Sequence, residues 1–287
     1  MAGPDVTAAA LDRALAAMDR WGASNATAAL VGPGGVVAAH GDADRTFWWA
    51  SITKLVTGMA VLTAVDDGTL ALDDPVGPPA PTGSTIRHLL AHASGLPFDG
   101  EGLQGRPGTR RIYSNTGFDV LGTVLGERDG HGFATSLRQR VLTPLGMTGT
   151  DLRDRPSQGL HGPLRDLATF ARDLLRPTLV RPATRAAATR VVFSGLAGVL
   201  PGVGRYDVLD WGLAFEIRDG KDPHWTGRTN SPGTFGHFGG SGSFLWVDPQ
   251  LDRALACLTD RDFGPWALSA WPPFADGVIA ALNGSLD

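Results

Sequence analysis

The fold is decided by one stretch of the sequence, Phe47-Trp48-Trp49-Ala50-Ser51-Ile52-Thr53-Lys54. Apolar residues continue to about residue 65 and predict a helix that begins near Ser51 and ends before Gly68, which can form a left-handed cap. On that helix, the i,i+3 spacing brings Ser51 and Lys54 onto one face. A serine hydroxyl becomes nucleophilic when a base takes its proton, and burial can lower the pKa of a lysine towards neutrality. The stretch predicts a lysine-activated serine; the alternative is an N-cap serine followed by a surface lysine.

Two later motifs could complete such a site. In Tyr113-Ser114-Asn115 a phenol can act as acid or base, while the amide can donate one hydrogen bond and accept another. The alternative is a tyrosine at a turn with Asn115 capping the next helix. The second motif is His237-Phe238-Gly239-Gly240, whose glycines allow another backbone or a ligand to approach closely. By itself that motif also fits a tight sheet edge.

The composition excludes several classes of protein. The chain has 287 residues, 43% hydrophobic and 19% charged, with a formal net charge of −4. This predicts one large domain or two interleaved ones, and it excludes intrinsic disorder. The near balance of acidic and basic side chains gives no electrostatic footprint for nucleic acid or an anionic membrane. Because Cys257 is the only cysteine, an internal disulfide and a multi-cysteine metal site are also excluded.

The periodicity of the chain predicts an α+β fold. Helices are expected over 7–21, 51–65, 86–93, 118–126, 133–141, 163–175 and 274–282. Strands are expected over 28–31 and 36–39, which form a hairpin, and over 211–217, 235–239, 243–247 and 254–259. We therefore expect an antiparallel sheet flanked by N- and C-terminal helices, with a helical region inserted into it. The predicted domains are a discontinuous sheet domain (1–50 and 200–287) and a helical domain (51–199), with the active site at their interface.

The three motifs, in this order, resemble those of the serine β-lactamase and penicillin-binding protein superfamily, whose first motif is S-x-x-K. The detail is closest to the class C β-lactamase-like branch, which includes family VIII carboxylesterases and D-amino-acid amidases. The segments 47–54, 66–76 and 85–96 all resemble blocks of that branch. The resemblance extends over about 45–175 and 211–262, which is most of the chain.

The resemblance implies a role for each matching residue. Ser51 would be the nucleophile that accepts the acyl group, and Lys54 and Tyr113 would share the role of base. Asn115 would orient Lys54 and the substrate. His237 would stand where true lactamases have lysine and esterases often have histidine. The backbone N–H groups of Ser51 and Gly240 would form the oxyanion hole.

Two departures from the lactamase pattern favour neutral substrates. A neutral His237 would hold a substrate carboxylate poorly at pH 7, and Phe238 would crowd the position of that carboxylate. The insertions between the motifs are also short, which favours short acyl groups. Trp49 and Phe238 are expected to bind substrate as walls of an apolar acyl site; for Trp49 the alternative is ordinary packing in the core. Gly239 and Ser241 are also predicted to bind substrate.

The predicted function is hydrolysis of short-chain carboxylic esters through a Ser51 acyl-enzyme. The alternatives are a β-lactamase, a DD-peptidase or a D-amino-acid amidase that uses the same site, and a non-catalytic binding or sensor paralogue. Acyl transfer to an acceptor other than water also stays open. A zinc site on His88 and His92, which have i,i+4 spacing, is disfavoured because the intervening Glu of H-E-x-x-H and a third ligand are missing.

We expect a cytoplasmic protein that acts on a small ester, amide or lactam. No basic N-terminal region precedes an apolar segment, and no apolar run reaches the roughly 18 residues that span a bilayer. We expect no cofactor, no metal, and no nucleic-acid or membrane partner; the sequence does not indicate an oligomeric state.

Overall fold

The computed structural model describes residues 4–284, with the side chains of residues 4–7 left out. Its helices alternate with loops along most of the chain. They are α1 (Pro4–Ala16), α2 (Thr53–Asp66), α3 (Ile86–Leu90), α4 (Asn115–Arg128), α5 (Phe133–Leu137), α6 (Leu164–Leu175), α7 (Pro182–Ala188) and α8 (Pro265–Leu282). Two short 3₁₀ helices, Ala17–Trp21 and Ala50–Ile52, and one short π-helix, Arg138–Leu142, adjoin α1, α2 and α5.

The strands form one principal sheet and two small ones. They are β1 (Ala26–Gly32), β2 (Gly35–His40), β3 (Phe47–Trp48), β4 (Arg111–Ile112), β5 (Asp151–Leu152), β6 (Leu160–Gly162), β7 (Gly198–Leu200), β8 (Gly204–Tyr206), β9 (Glu216–Ile217), β10 (Phe235–Phe238), β11 (Phe244–Asp248) and β12 (Arg253–Thr259). The principal sheet has six strands in the order β2-β1-β12-β11-β10-β9, and its pairs are antiparallel.

Helices cover both faces of the principal sheet. In β1, Ala29 and Val31 point into the core that contains α6, whereas Ala28 and Leu30 point into the core that contains α1 and α8. Successive residues of a strand face opposite sides of the sheet. Because both sides are covered, β1 is apolar at every position from 28 to 31. Within residues 4–284, no helix combines the length and the hydrophobicity that crossing a membrane requires.

The α+β class and the antiparallel sheet are confirmed, but several predicted boundaries are wrong. The second helix begins at Thr53, because Ser51 lies in a separate turn, and the segment predicted as 86–93 ends at Leu90. In the segment predicted as 211–217 only Glu216–Ile217 is a strand. The final helix begins at Pro265, nine residues before the predicted start, and it continues through two prolines. The sequence does not predict the short strands β3 to β8 or helix α7.

The division into a sheet domain and a helical domain stays a prediction. Helix α6, which belongs to the predicted helical domain, packs on strands β1 and β12 of the principal sheet. Residues 1–3 and 285–287 of the predicted sheet domain lie outside the described residues.

Candidate active site

Ser51 lies on a tight turn between β3 and α2. The turn spans Ala50–Ile52, and Ala50 has a positive φ of 46°, a conformation that L-residues adopt at a cost. The side of this turn is closed by the end of β10, since a Cβ on Gly239 would lie 2.6 Å from the Trp49 carbonyl oxygen. Glycine at position 239 therefore allows the His237 segment to lie directly against the turn that carries Ser51.

Lys54 is completely buried one turn below Ser51. Its Nζ lies 3.3 Å from Ser51 Oγ and donates hydrogen bonds to Asn115 Oδ1 at 2.5 Å and to the Ser157 carbonyl at 2.9 Å. None of these direct partners carries a charge. Burial therefore lowers the pKa of Lys54 from 10.5 to about 7, so that a substantial fraction of the amine is neutral at physiological pH.

Tyr113 and Asn115 reach the same place from the start of α4. Ser114 caps this helix by accepting a hydrogen bond from the Gly117 N–H at 2.9 Å, which leaves the amide of Asn115 free to contact Lys54. The Tyr113 ring centroid is 4.8 Å from Lys54 Nζ. Burial raises the pKa of Tyr113 above its usual value, although hydrogen bonding with Ser51 opposes the shift. The phenol is therefore protonated at neutral pH.

His237 completes the group from strand β10. Its ring centroid is 5.4 Å from that of Tyr113. Its Nδ1–H donates a hydrogen bond to the Phe238 carbonyl, whereas its Nε2 has no hydrogen-bond partner among the described residues. Burial, reinforced by the nearby charge of Lys54, lowers the pKa of His237 to about 3. The imidazole is therefore neutral across the physiological range and presents an acceptor rather than a cation.

A small cavity of about 210 Å³ opens beside Ser51. Its lining is mainly aromatic, aliphatic and glycine residues. The lining residues are Ser51, Phe98, Tyr113, Leu200, Pro201, Gly202, His237, Phe238, Gly240 and Phe263. Ser51 and Gly240, the residues predicted to supply the oxyanion hole, thus border the same space.

Three residues predicted to bind substrate are absent from the cavity wall. Trp49 is completely buried in the core, where its Nε1–H donates to the Gly162 carbonyl at 3.0 Å. Ser241 is also buried, and its carbonyl accepts a hydrogen bond from Thr259 Oγ1 at 3.3 Å. Gly239 supports the nucleophile turn through its backbone. Trp49 and Ser241 therefore do not border this cavity, whereas Phe238 does; substrate binding by these residues stays a prediction.

The sequence analysis missed the other walls of the cavity. Phe98 precedes β4, Leu200 ends β7, and Phe263 lies between β12 and α8. Gly202 is closely packed against this last residue, because a Cβ on Gly202 would lie 2.5 Å from the Phe263 ring. Spacing gives no signal for these residues, since they come from three separate loops.

The two histidines with i,i+4 spacing do not form a metal site. His92 lies beyond α3 with a positive φ of 52°, is almost completely buried, and accepts a hydrogen bond from the Ser114 N–H at 3.0 Å. His88 Nδ1 instead contacts Thr85 Oγ1 at 2.8 Å. Within the described part of the chain, no three His, Cys, Asp or Glu side chains converge on a point that could hold a metal.

A turn-borne serine with a buried lysine, a tyrosine and a histidine strand, set between helices and an antiparallel sheet, defines the class of serine β-lactamases and penicillin-binding proteins. The chain belongs to the Beta-lactamase family, whose model matches residues 11–276. A crystal structure of a β-lactamase from Mycobacterium bovis is 50% identical, with a TM-score of 0.91 over 94% of this chain and 99% of that one.

Curated relatives are more distant. The D-alanyl-D-alanine-carboxypeptidase/endopeptidase AmpH of Escherichia coli K12 is 28% identical in an alignment 143 residues long, which covers 38% of this chain and 37% of that protein. The match therefore spans little more than a third of the relative's length. Penicillin-binding protein 4 of Amycolatopsis lactamdurans is 27% identical over 286 residues, covering 76% of this chain and 72% of the relative.

Proposed function

We propose that the protein hydrolyses short-chain carboxylic esters through an acyl-enzyme on Ser51. The observation that carries the proposal is the character of the cavity beside Ser51. Among the described residues that border it there is no Lys, Arg, Asp or Glu, and His237 is neutral because its pKa is about 3. A volume of about 210 Å³ is below the roughly 300 Å³ at which drug-sized sites begin. The space suits a small neutral acyl group.

The proposed reaction begins with proton transfer to Lys54. In its neutral form Lys54 takes the proton of Ser51 as Oγ attacks the ester carbonyl carbon, and the resulting oxyanion accepts hydrogen bonds from the N–H groups of Ser51 and Gly240. The carbon–oxygen bond to the alcohol then breaks, and the protonated Lys54, with the neutral Tyr113 phenol beside it, returns a proton to the departing alkoxide. Water next attacks the acyl-enzyme by the same sequence, releasing the acid and restoring Ser51.

Within the superfamily, we place the substrate preference nearest the carboxylesterase-like members of the class C branch. The third motif of lactamases and peptidases supplies a cation for the substrate carboxylate, and His237 here has neither the charge nor a free proton at Nε2. Phe238 occupies the adjacent wall and packs 4.8 Å from Phe263, centroid to centroid. Both features favour a substrate without a carboxylate at this position.

Hydrolysis of a β-lactam or a D-amino-acid peptide is the second candidate. It is favoured by the names of two relatives, the β-lactamase of M. bovis and the D-alanyl-D-alanine-carboxypeptidase of E. coli. The same Ser51 and Lys54 chemistry would open a lactam, since both reactions pass through an acyl-serine. The uncharged cavity makes it the weaker of the two proposals.

A paired assay separates the candidates. Purified protein is given p-nitrophenyl butyrate and, separately, a chromogenic cephalosporin. We expect turnover of the ester, loss of that turnover in Ser51→Ala, and retention in Ser269→Ala, a matched control on the exposed face of α8 whose hydroxyl bonds only within its own helix at 3.2 Å. Equal ester turnover in Ser51→Ala and wild type would overturn the proposal. Cephalosporin turnover without ester turnover would favour the second candidate.

A further inference from the structure

Besides Ser51, Lys54 has two hydrogen-bond acceptors, and each of them is held in turn by a carboxylate. Asn115 accepts from Lys54 through Oδ1, and its Nδ2 donates to Asp99 Oδ2 at 2.9 Å. The Ser157 carbonyl also accepts from Lys54, and the Ser157 N–H donates to Asp119 Oδ1 at 3.0 Å. Neither carboxylate contacts Lys54 directly in these bonds, so each can act on the amine only through a neutral intermediary and through its field.

Arg155 joins the two carboxylates into a closed ring. Its Nη1 lies 2.8 Å from Asp99 Oδ1 and 3.3 Å from Asp119 Oδ2. We call Asp99, Arg155 and Asp119 the charged triad. Asp99 lies in the loop before β4, Asp119 lies in α4, and Arg155 lies in the loop before β6. None of the three borders the cavity beside Ser51.

The charged triad determines which atoms face Lys54. An ionised carboxylate only accepts hydrogen bonds, so Asp99 requires the Nδ2 donor of Asn115 on its side and leaves Oδ1 for the amine. Asp119 fixes the Ser157 peptide in the same way by accepting its N–H. The Asn115 amide and the Ser157 carbonyl are thus oriented by residues outside the catalytic group.

We propose that Asp99, Arg155 and Asp119 are positioning residues for Lys54. They orient two of its three acceptors and balance the charge around its amine. The inference rests on the proposed function in one respect, the role of Lys54 as base. It requires no particular substrate, because the charged triad does not touch the cavity.

The sign of each member's effect follows from its charge. Burial is the largest influence on the pKa of Lys54 and lowers it; Asp119 and Asp99 act to raise it, and Arg155 acts to lower it. The remaining titratable groups that face the amine are uncharged at neutral pH, because burial lowers the pKa of the two imidazoles and raises that of the phenol. These groups are His92, His237 and Tyr113.

The test uses the small number of lysines. The chain contains only Lys54 and Lys221, so protein labelled with ¹³C at the lysine ε-carbon gives two signals, and Lys54→Met assigns them. We expect the NMR titration of Lys54 to move to lower pH in Asp119→Asn, on the order of one pH unit. It should move to higher pH in Arg155→Gln. Asp99→Asn, on a more exposed carboxylate, should repeat the downward shift if Asp119→Asn does not fold.

A merely structural role of the charged triad cannot shift the Lys54 titration in opposite directions in Asp119→Asn and Arg155→Gln. Loosened packing would hydrate the amine and move its titration upward in every variant. Asp73→Asn, which breaks the exposed pair with Arg87 at 2.9 Å, is the matched control and should leave Lys54 unchanged. Unchanged titrations in the triad variants, or shifts of one common sign, would overturn the inference. Because the measurement needs no substrate, absence of ester turnover would count against the proposed function alone.

Discussion

The two lysines of the chain are both buried, yet their surroundings differ. Lys54 is bonded to a hydroxyl, an amide oxygen and a backbone carbonyl. Lys221 instead lies 2.9 Å from Glu216 Oε1, and this carboxylate also accepts from His224 at 3.0 Å and from Trp225 Nε1–H at 3.1 Å. Burial alone would raise the pKa of Glu216, but the charges and hydrogen bonds of His224 and Lys221 lower it to about 2.

The difference shows that burial does not by itself make a lysine a base. An amine surrounded by neutral acceptors is destabilised as an ammonium ion, and its pKa falls towards the range in which it can exchange protons. A carboxylate in contact with the amine stabilises the charged pair instead. Lys54 is surrounded by neutral acceptors, and Asn115 and Ser157 stand between its amine and the nearby carboxylates. Lys221 is in direct contact with a carboxylate.

The largest expected effect is a loss of activity when Lys54, but not Lys221, is replaced. Lys54→Met should lower kcat by about 10²- to 10⁴-fold, the usual contribution of a positioned acid or base, with little change in KM because the base acts in the transition state. Lys221→Met, the same substitution in the other environment, should change kcat by no more than a few-fold. Steady-state kinetics with p-nitrophenyl butyrate measures both. An unchanged kcat in Lys54→Met would remove Lys54 from the mechanism.

Lys221→Met should lower the stability of the protein, although it should change activity little. Lys221→Met leaves the Glu216 carboxylate buried without its amine partner, and breaking such a pair costs about 3–5 kcal/mol of unfolding free energy. Urea denaturation measures the loss. The double variant Lys221→Met/Glu216→Gln should lose less than Lys221→Met, because it leaves no unpaired charge. A larger loss in the double variant would show that the carboxylate is stabilised without Lys221.

The pH dependence of activity should report Lys54. In the proposed mechanism its neutral form is the base, and its pKa is about 7. We therefore expect kcat/KM to fall about tenfold for each pH unit below 7 and to level off above it. A pH–rate profile of wild type and Lys221→Met should give the same acid limb in both proteins. A limb that moves in Lys221→Met would mean that the two lysine environments are coupled.

The smallest expected effect comes from adding a third lysine. His237→Lys places an amine next to the cavity, and we expect a several-fold lower KM for esters whose acyl group carries a carboxylate, with no such gain for p-nitrophenyl butyrate. Repulsion by the new cation should also shift the acid limb to lower pH. Absence of any gain with the carboxylate-bearing ester would contradict the explanation of substrate preference by the neutral His237.

The parts of the site that the sequence predicts are those encoded by local spacing. Ser51 and Lys54 lie three residues apart, and Tyr113 and Asn115 lie two apart, so each pair is visible in the sequence before any fold is known. The charged triad is different. Asp99 and Arg155 are separated by 56 residues, and two loops must pack against helix α4 before the ring closes. No periodicity or motif carries that information.

The errors in the fold have a similar origin. Ser51 was placed on the helix, but the positive φ of Ala50 starts a separate turn. For Trp49 the sequence leaves two environments open, a wall of the acyl site and the core, because spacing does not determine where the side chain points; in the structure it lies in the core. Strands as short as β4 and β9, with two residues each, lack the alternation that predicts longer strands.

The contact between Gly202 and Phe263 determines how the acyl pocket could be remodelled. Both residues lie on connections far in sequence from the turn of Ser51 and from the start of α4, so this wall of the pocket and the proton-transfer group come from separate segments of the chain. Trimming Phe263 to a smaller side chain would enlarge the pocket, because the ring borders it. Longer acyl chains could thus be admitted by engineering a single loop, a change that gradual divergence could also make without passing through an inactive enzyme.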